Sequence, residues 1–201
     1  SNLRQTAAPP VPIRGGRLSK EEKSPMRVFI AVELPQKWQE ELWLAGQALG
    51  RLGVRGRFTR QENFHLTLAF LGEVSDPSGA AAVLDHLKAA PFPLKTAEAN
   101  RFLLRGGDIW WVGVAPHPAL LETQARLCAG LGQSGFALDR RPFLPPITLA
   151  RRVHAPKQVG PEALTGLLPP METRVRQLTL MSSQLTPGGP VYTPIYRAPL
   201  G

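Results

Sequence analysis

Cysteine, acidic residues and long apolar runs are all scarce in this chain of 201 residues. Its only cysteine is Cys128, which excludes an internal disulfide and any zinc site built from several cysteines. We therefore expect a reducing compartment, the cytoplasm. No apolar run has membrane-spanning length, and the first residues lack the charged-then-apolar order of a secretory signal. The sequence thus predicts a soluble protein without a membrane partner.

The shortage of acidic residues leaves a basic chain, with 24 Lys and Arg against 15 Asp and Glu and a formal net charge of +9. Residues 1–25 are rich in Pro, Gly, Ser and charge and show no apolar period. We expect them to be a disordered basic extension or a leader segment, with one domain over residues 26–201. The positive charge favours phosphate-rich partners such as nucleic acid, through attraction that salt screens.

Strand and helix patterns alternate after Met26. Periodicity predicts strands over residues 27–32, 64–71, 92–104, 108–115, 175–181 and 191–196, besides one near residue 147. It predicts helices over about residues 35–53, after Asp76 and around residues 120–131. Short connections such as the glycine turn at 105–107 permit antiparallel pairing. We therefore predict an α+β fold with two related lobes around a cleft.

One short strand pattern occurs twice. The first copy is His65-Leu66-Thr67-Leu68-Ala69 and the second is Pro146-Ile147-Thr148-Leu149-Ala150. Side chains alternate across a strand, so His65 and Thr67 share one face while the leucines enter a core. If each lobe supplies one copy, the two polar faces meet across the cleft, which is a common place for a ligand site.

These residues resemble the two-histidine (2H) phosphoesterase superfamily, and within it the RNA 2′,3′-cyclic phosphodiesterases, also named 2′-5′ RNA ligases. Five landmarks in the same order carry the resemblance: Arg27 to Pro35, Asn63 to Gly72, Arg141-Pro142-Phe143, Thr148 to Arg151, and Gly188 to Tyr192. The resemblance implies a bilobal α+β fold with helices outside and two His-x-Thr motifs in the cleft. It also implies RNA ends or cyclic nucleotides as substrates, and no metal or nucleotide cofactor.

The resemblance further implies individual roles. His65 would be the proton donor to the departing ribose oxygen, leaving a 2′-phosphate, and Thr67 and Thr148 would hold the phosphate. Arg151 would add a cation, and Phe29 would stack on the terminal base. Arg151 shares the parity of the core-facing residues of its strand, so it reaches the cleft only if that strand ends or bulges there.

Pro146 departs from the family pattern, because it stands where the second motif has its histidine. Imidazoles suit both proton transfers of the reaction near neutral pH, and proline supplies neither. Loss of such a partner removes about 10²–10⁴ in rate. His154 is the nearest alternative, but it lies eight residues further on and reaches the site only if the chain turns back.

Three readings follow from this departure. The first is a weakened cyclic phosphodiesterase, and the second is an inactive protein that binds RNA ends or nucleotides. In the third, Pro146 is a local change in an otherwise active enzyme. A purely structural His65 is the alternative to a site role, and the matched strand together with the family landmarks favours the site. We expect a monomer.

Overall fold

The computed structural model describes residues 25–139 and 141–201. The predicted extension over residues 1–25 therefore lies outside the described residues, apart from Pro25. Within the described part the strands are β1 (Met26–Glu33), β2 (Arg55–Phe58), β3 (His65–Val74), β4 (Phe92–Phe102), β5 (Asp108–Val114), β6 (Pro146–His154), β7 (Glu172–Val175), β8 (Gln177–Thr186) and β9 (Gly189–Pro199). The α-helices there are α1 (Gln36–Arg51), α2 (Ser78–His86), α3 (Pro118–Gln133) and α4 (Leu164–Leu167).

The strands described form two antiparallel sheets. The first has the order β3-β1-β8-β9 and the second the order β2-β6-β5-β4-β7. Each sheet contains one copy of the repeated pattern, on β3 and on β6. The predicted α+β fold with two related lobes is confirmed.

Both sheets bury their apolar faces in one continuous core. Alternate residues of β1 and β5 enter this core, which the helices cover. In α1, the three- and four-residue spacing of Trp38, Leu42, Ala45 and Leu49 gives the buried stripe expected for an amphipathic helix. No helix among the described residues is long and apolar enough to span a membrane.

Some predicted boundaries differ from the structure. Helix α2 begins at Ser78, whose backbone N–H donates to Asp76 Oδ1 at 3.0 Å. The single strand predicted over residues 175–181 is two strands, because the chain leaves the ladder at Arg176 and passes from β7 to β8. Strand β2 was not predicted, since its sequence Arg-Gly-Arg-Phe is largely exposed at a sheet edge and has no apolar alternation.

Candidate active site

The first motif strand, β3, holds His65 in one orientation. Its Nδ1–H donates to the Asn63 carbonyl at 2.7 Å, because a carbonyl can only accept. This bond leaves Nε2 as the nitrogen available for chemistry, 2.9 Å from Thr67 Oγ1. In the neutral ring Thr67 donates to Nε2, whereas in the imidazolium the direction of donation reverses. The predicted pair on one strand face is therefore in hydrogen-bond contact.

Aromatic rings enclose this histidine. The His65 ring centroid lies 4.9 Å from that of Phe29 and 5.1 Å from that of Tyr192, which it meets edge to face. Burial lowers the pKa of His65 below its ordinary value of 6.5 because a buried imidazolium loses its hydration. The bond to Asn63 opposes this shift, and the positive charge of Arg151 adds to it. The neutral ring is thus favoured in the free protein.

The second motif strand, β6, offers different groups in the same arrangement. Pro146 and Thr148 are half-buried, while Ile147 between them is fully buried. In the ladder with β5, Pro146 lies opposite Gly113 and Thr148 opposite Trp111. The structure therefore presents a threonine on the motif face of β6, and no proton-transferring side chain at its first position.

The sequence predicted that Arg151 reaches the cleft only if its strand ends or bulges there, and β6 does bulge before Arg151. Thr148 pairs with Trp111 and Ala150 with Trp110, so Leu149 is an extra residue in the ladder. Leu149 and Ala150 are consecutive buried residues, and Arg151 is exposed. The charge of Arg151 lowers the pKa of both His65 and Tyr192, although burial raises the pKa of Tyr192 more strongly. The bulge thus brings a cation into electrostatic range of the histidine.

The segment before His65 joins the two motif strands to the β8–β9 hairpin. Thr59 donates from its backbone N–H to the Leu149 carbonyl and from Oγ1 to the Thr148 carbonyl, both at 2.9 Å. Four residues on, the Asn63 side-chain amide donates to the Pro190 carbonyl at 2.9 Å. Strands β3 and β6 are also in contact with each other. The chain therefore ties the threonine strand, the histidine strand and the Tyr192 hairpin together.

Two aromatic residues at the site were not predicted. Phe70 follows a bulge in β3 and is 64% exposed, with its ring 6.2 Å from that of Phe29. Trp111 follows the buried Trp110, and simple alternation would expose it, but it is only 8% exposed and its ring packs 5.2 Å from that of Phe102. Alternation alone predicts neither placement, because Phe70 depends on the bulge in β3 and Trp111 is covered by Phe102 although it lies outside the main core.

Two other titratable groups, His154 and Glu33, form no hydrogen bond to the His65–Thr67 pair. His154 is exposed at the last position of β6 and pairs with Arg55, so the alternative histidine stays at the strand end. Glu33, opposite His65 on β1, is held by Arg197 at 2.8 and 2.9 Å, and the Arg197 hydrogen bond lowers its pKa.

Within residues 25–139 and 141–201, no three His, Cys, Asp or Glu side chains cluster as a metal site would require.

Comparison with known families decides the relationship. The model of the 2′-5′ RNA ligase superfamily matches residues 38–187, which include both motif strands. The chain belongs to this superfamily. The resemblance identified from the sequence is therefore confirmed.

Individual relatives agree with this membership of the 2′-5′ RNA ligase superfamily. An RNA 2′,3′-cyclic phosphodiesterase of Geobacillus stearothermophilus is 37% identical over 69% of the chain, which spans about half, 46%, of that relative. One of Thermus thermophilus is 34% identical, over 84% of the chain and 87% of the relative. The crystal structure of E. coli LigT complexed with 3′-AMP is 31% identical, covers 88% of this chain and 98% of its own, and has a TM-score of 0.71.

Proposed function

We propose that this chain is an RNA 2′,3′-cyclic phosphodiesterase that opens cyclic ends to a 2′-phosphate and is weakened by Pro146. The observation that carries the proposal is the presentation of His65 Nε2 beside Thr67, next to a second strand that offers Thr148 and Arg151. Relatives named RNA 2′,3′-cyclic phosphodiesterase support it, and so does the 3′-AMP in the E. coli LigT structure.

The proposed reaction breaks the bond between phosphorus and the ribose 3′-oxygen. Water attacks phosphorus, the 3′-oxygen leaves, and the His65 imidazolium gives that oxygen its proton from Nε2. The product then carries a 2′-phosphate and a 3′-hydroxyl. The attacking water loses a proton to solvent, since Pro146 supplies no base, and His65 regains its proton from solvent after each turnover.

Hydrogen-bond donors and one cation are available for the phosphate. We assign Thr67 and Thr148 to its non-bridging oxygens, where hydroxyl donors stabilise the charge that grows in the transition state. Arg151 adds a positive charge that also favours binding of the anion. A bound anion offsets the effect of Arg151 on His65, so the imidazolium needed for proton donation becomes more populated in the complex.

The aromatic rings suggest how the terminal base is held. Phe29 is only 4% exposed and packs against the rings of His65, Phe70 and Tyr192. The proposed stacking on Phe29 therefore has little free ring surface available. We assign the accessible stacking face to Phe70 and a supporting position beneath it to Phe29, since stacking on aromatic rings is a common way to hold single-stranded bases.

A protein that binds RNA ends without turnover is the second candidate. The observation in its favour is that Pro146 and its ladder partner Gly113 both lack proton chemistry. Such a protein would keep the threonines, Arg151 and the aromatic rings, and with them its affinity for a terminal phosphate. It would release no product.

The deciding experiment is turnover of a short RNA that ends in a 2′,3′-cyclic phosphate, in buffer containing a chelator. We expect slow formation of a 2′-phosphate end, and loss of that activity in His65→Ala. His154→Ala is the matched control, because it removes an exposed histidine at the end of β6 and should leave the rate unchanged. Binding of the RNA without turnover in any of the three proteins would favour the second candidate.

A further inference from the structure

A second groove adjoins the candidate active site through Arg151. It has a volume of about 480 Å³ and is lined by the β4–β5 turn and the end of β6: Leu104, Arg105, Gly106, Gly107, Ile109, Arg151 and Arg152. Among these lining residues, three are arginines and none is acidic. Nearby Asp108 lies 3.8 Å from Arg101 and does not line the groove.

The backbone of β6 is forced into an unusual shape at this groove. Arg152 has a φ of 52°, in the left-handed region that non-glycine residues rarely adopt. Of the described residues it is the only non-glycine with a positive φ. Such conformations cluster at functional sites, where the surrounding structure maintains them.

Two glycines hold this shape from opposite sides. A Cβ on Gly107, in the β4–β5 turn, would lie 2.6 Å from the Arg152 carbonyl carbon. A Cβ on Gly56, in β2, would lie 2.8 Å from the Arg151 carbonyl oxygen. Neither distance is possible for a real side chain, so both neighbours approach the β6 backbone as closely as glycine permits. Packing against these two glycines therefore fixes the backbone positions of Arg151 and Arg152.

The charge and the walls of the groove indicate the kind of ligand. Three arginines without an acidic residue among the lining give the groove a positive charge, and an anion bound there reduces the repulsion among them. Guanidinium groups bind phosphate oxygens through paired hydrogen bonds. Leu104, which is 53% exposed, and Ile109 add apolar surface for a sugar or base edge. A phosphate attached to a nucleoside fits both features.

We propose that this groove binds the phosphodiester on the 5′ side of the terminal nucleotide, so that the preferred ligand is an RNA chain rather than a cyclic mononucleotide. The inference rests on the proposed function, because it places the terminal phosphate beside His65 and Arg151. A cyclic phosphate stands at the 3′ end of RNA, so the chain continues only in the 5′ direction. Arg151 then lies between the terminal phosphate and the one before it.

The test compares two ligands that the protein cannot hydrolyse, a 3′-phosphorylated RNA tetramer and 3′-AMP, by calorimetry or competition binding. The variant is Arg105→Gln with Arg152→Gln. The control is Lys88→Gln with Arg126→Gln, which removes the same charge from exposed positions beside α2 and on α3, the helical side of the sheets. Arg105→Gln alone serves as a second variant, because its exposed turn position leaves the fold of β6 intact.

We expect the unaltered protein to bind the tetramer at least about tenfold more tightly than 3′-AMP, since each additional phosphate that meets an arginine adds charge attraction. The groove variant should bind the tetramer about tenfold more weakly, and its plot of log K against log salt should flatten by about 0.7 for each phosphate that the protein no longer neutralises. The control should keep the tetramer preference.

Two outcomes would overturn the inference. One is a tetramer that binds no more tightly than 3′-AMP, and the other is an equal loss of preference in the groove and control variants. Failure of the proposed function looks different, because a protein without turnover can still show a groove-dependent tetramer preference. Conversely, turnover of a cyclic mononucleotide without any tetramer preference would support the proposed activity and contradict the proposed role of the groove.

Discussion

The two halves of the cleft share a backbone but differ in their side chains. On the β1–β3 side and on the β5–β6 side, five ladder pairs correspond position by position. The matched pairs are Glu33–His65 with Gly113–Pro146, Val32–Leu66 with Val112–Ile147, Ala31–Thr67 with Trp111–Thr148, Ile30–Ala69 with Trp110–Ala150, and Val28–Gly72 with Asp108–Val153. In both motif strands the leucine after the threonine, Leu68 or Leu149, is an extra residue without a partner in the ladder. The repeat seen in the sequence is thus a repeat of register and bulges.

Against this common backbone, the chemistry is one-sided. The first half has a histidine at the motif start and Phe70 after the bulge, whereas the second has Pro146 and Arg151 at the same places. Among the polar positions of the motifs, only the threonines are the same. The main-chain geometry is therefore the same in both halves, while the imidazole lies in one half and the guanidinium in the other, which makes each half testable alone.

The largest expected effect comes from making the two halves chemically alike. Pro146→His should raise turnover of a 2′,3′-cyclic phosphate by about 10²–10⁴, because a second imidazole would accept the proton of the attacking water. This corresponds to about 3–5 kcal/mol of barrier lowering. Steady-state rates on a short cyclic-ended RNA measure it.

The control for this gain is Pro142→His, which adds an imidazole at an exposed position outside the strand. It should leave the rate as it was. A Pro146→His protein that folds and binds RNA but gains nothing would show that the first position of β6 does not reach the substrate.

The glycines that lie beside the second bulge of each motif strand should respond unequally to an added side chain. Gly72 and Gly107 both have positive φ, 73° and 121°, but a Cβ on Gly72 meets nothing within 4 Å whereas one on Gly107 meets the Arg152 backbone. Gly107→Ala should lower the free energy of unfolding by about 3 kcal/mol. Gly72→Ala should lower it by only about 1 kcal/mol.

Urea unfolding of the two proteins measures this difference. Gly50→Ala is the control, because Gly50 lies in α1 with open space around it, and alanine there should be neutral or slightly stabilising. Equal losses at Gly72 and Gly107 would mean that the β4–β5 turn yields to the added methyl group, and that the shape of β6 is less firmly held than we infer.

Replacing each motif threonine separately should show whether the halves share the phosphate. Thr67→Val and Thr148→Val keep the side-chain shape and remove a hydroxyl, and each should lower kcat/KM about tenfold, as expected when one hydrogen bond to a charged group is removed. Thr67→Val should also change the pH profile, since Thr67 contacts His65 Nε2. Unchanged kinetics in Thr148→Val would show that the phosphate contacts only the β3 side.

The smallest effect is a change in the titration of His65. Its pKa, followed by NMR, should lie below 6.5 in the free protein because burial disfavours the imidazolium, and should rise when 3′-AMP is added. The unfolded chain keeps the ordinary value and so binds more protons between the two pKa values, which means that stability increases with pH there. The stabilisation is complete above 6.5 and is lost as the pH falls through the folded value.

A His65→Gln variant, which lacks this titration, provides the comparison and assigns the resonance. The difference in unfolding free energy between the two proteins should become smaller as the pH falls, because the parent protein loses stability and the variant does not. A His65 that titrates at or above its ordinary value without ligand would contradict the enclosure by Phe29 and Tyr192.

The sequence was sufficient for the motif face and the fold class, because alternation and family landmarks both depend on local order along the chain. The bulges were beyond it, since an extra ladder residue depends on the partner strand, and the exposure of Phe70 follows from a bulge. The burial of Trp111 depends on Phe102 of another strand. An arginine upstream of each motif also has contacts that the sequence does not predict. Arg60 and Arg141 precede the two motifs by five residues, yet Arg60 contacts the Gly188 carbonyl while Arg141 pairs with nearby Asp139.

Asn63 has a consequence for how the site can move. Its carbonyl accepts the hydrogen bond from His65 Nδ1, while its side-chain amide donates to Pro190 in the hairpin that carries Tyr192. The imidazole and the hairpin are thus coupled through a single residue. A displacement of that hairpin would therefore change the angle at which the imidazole presents Nε2.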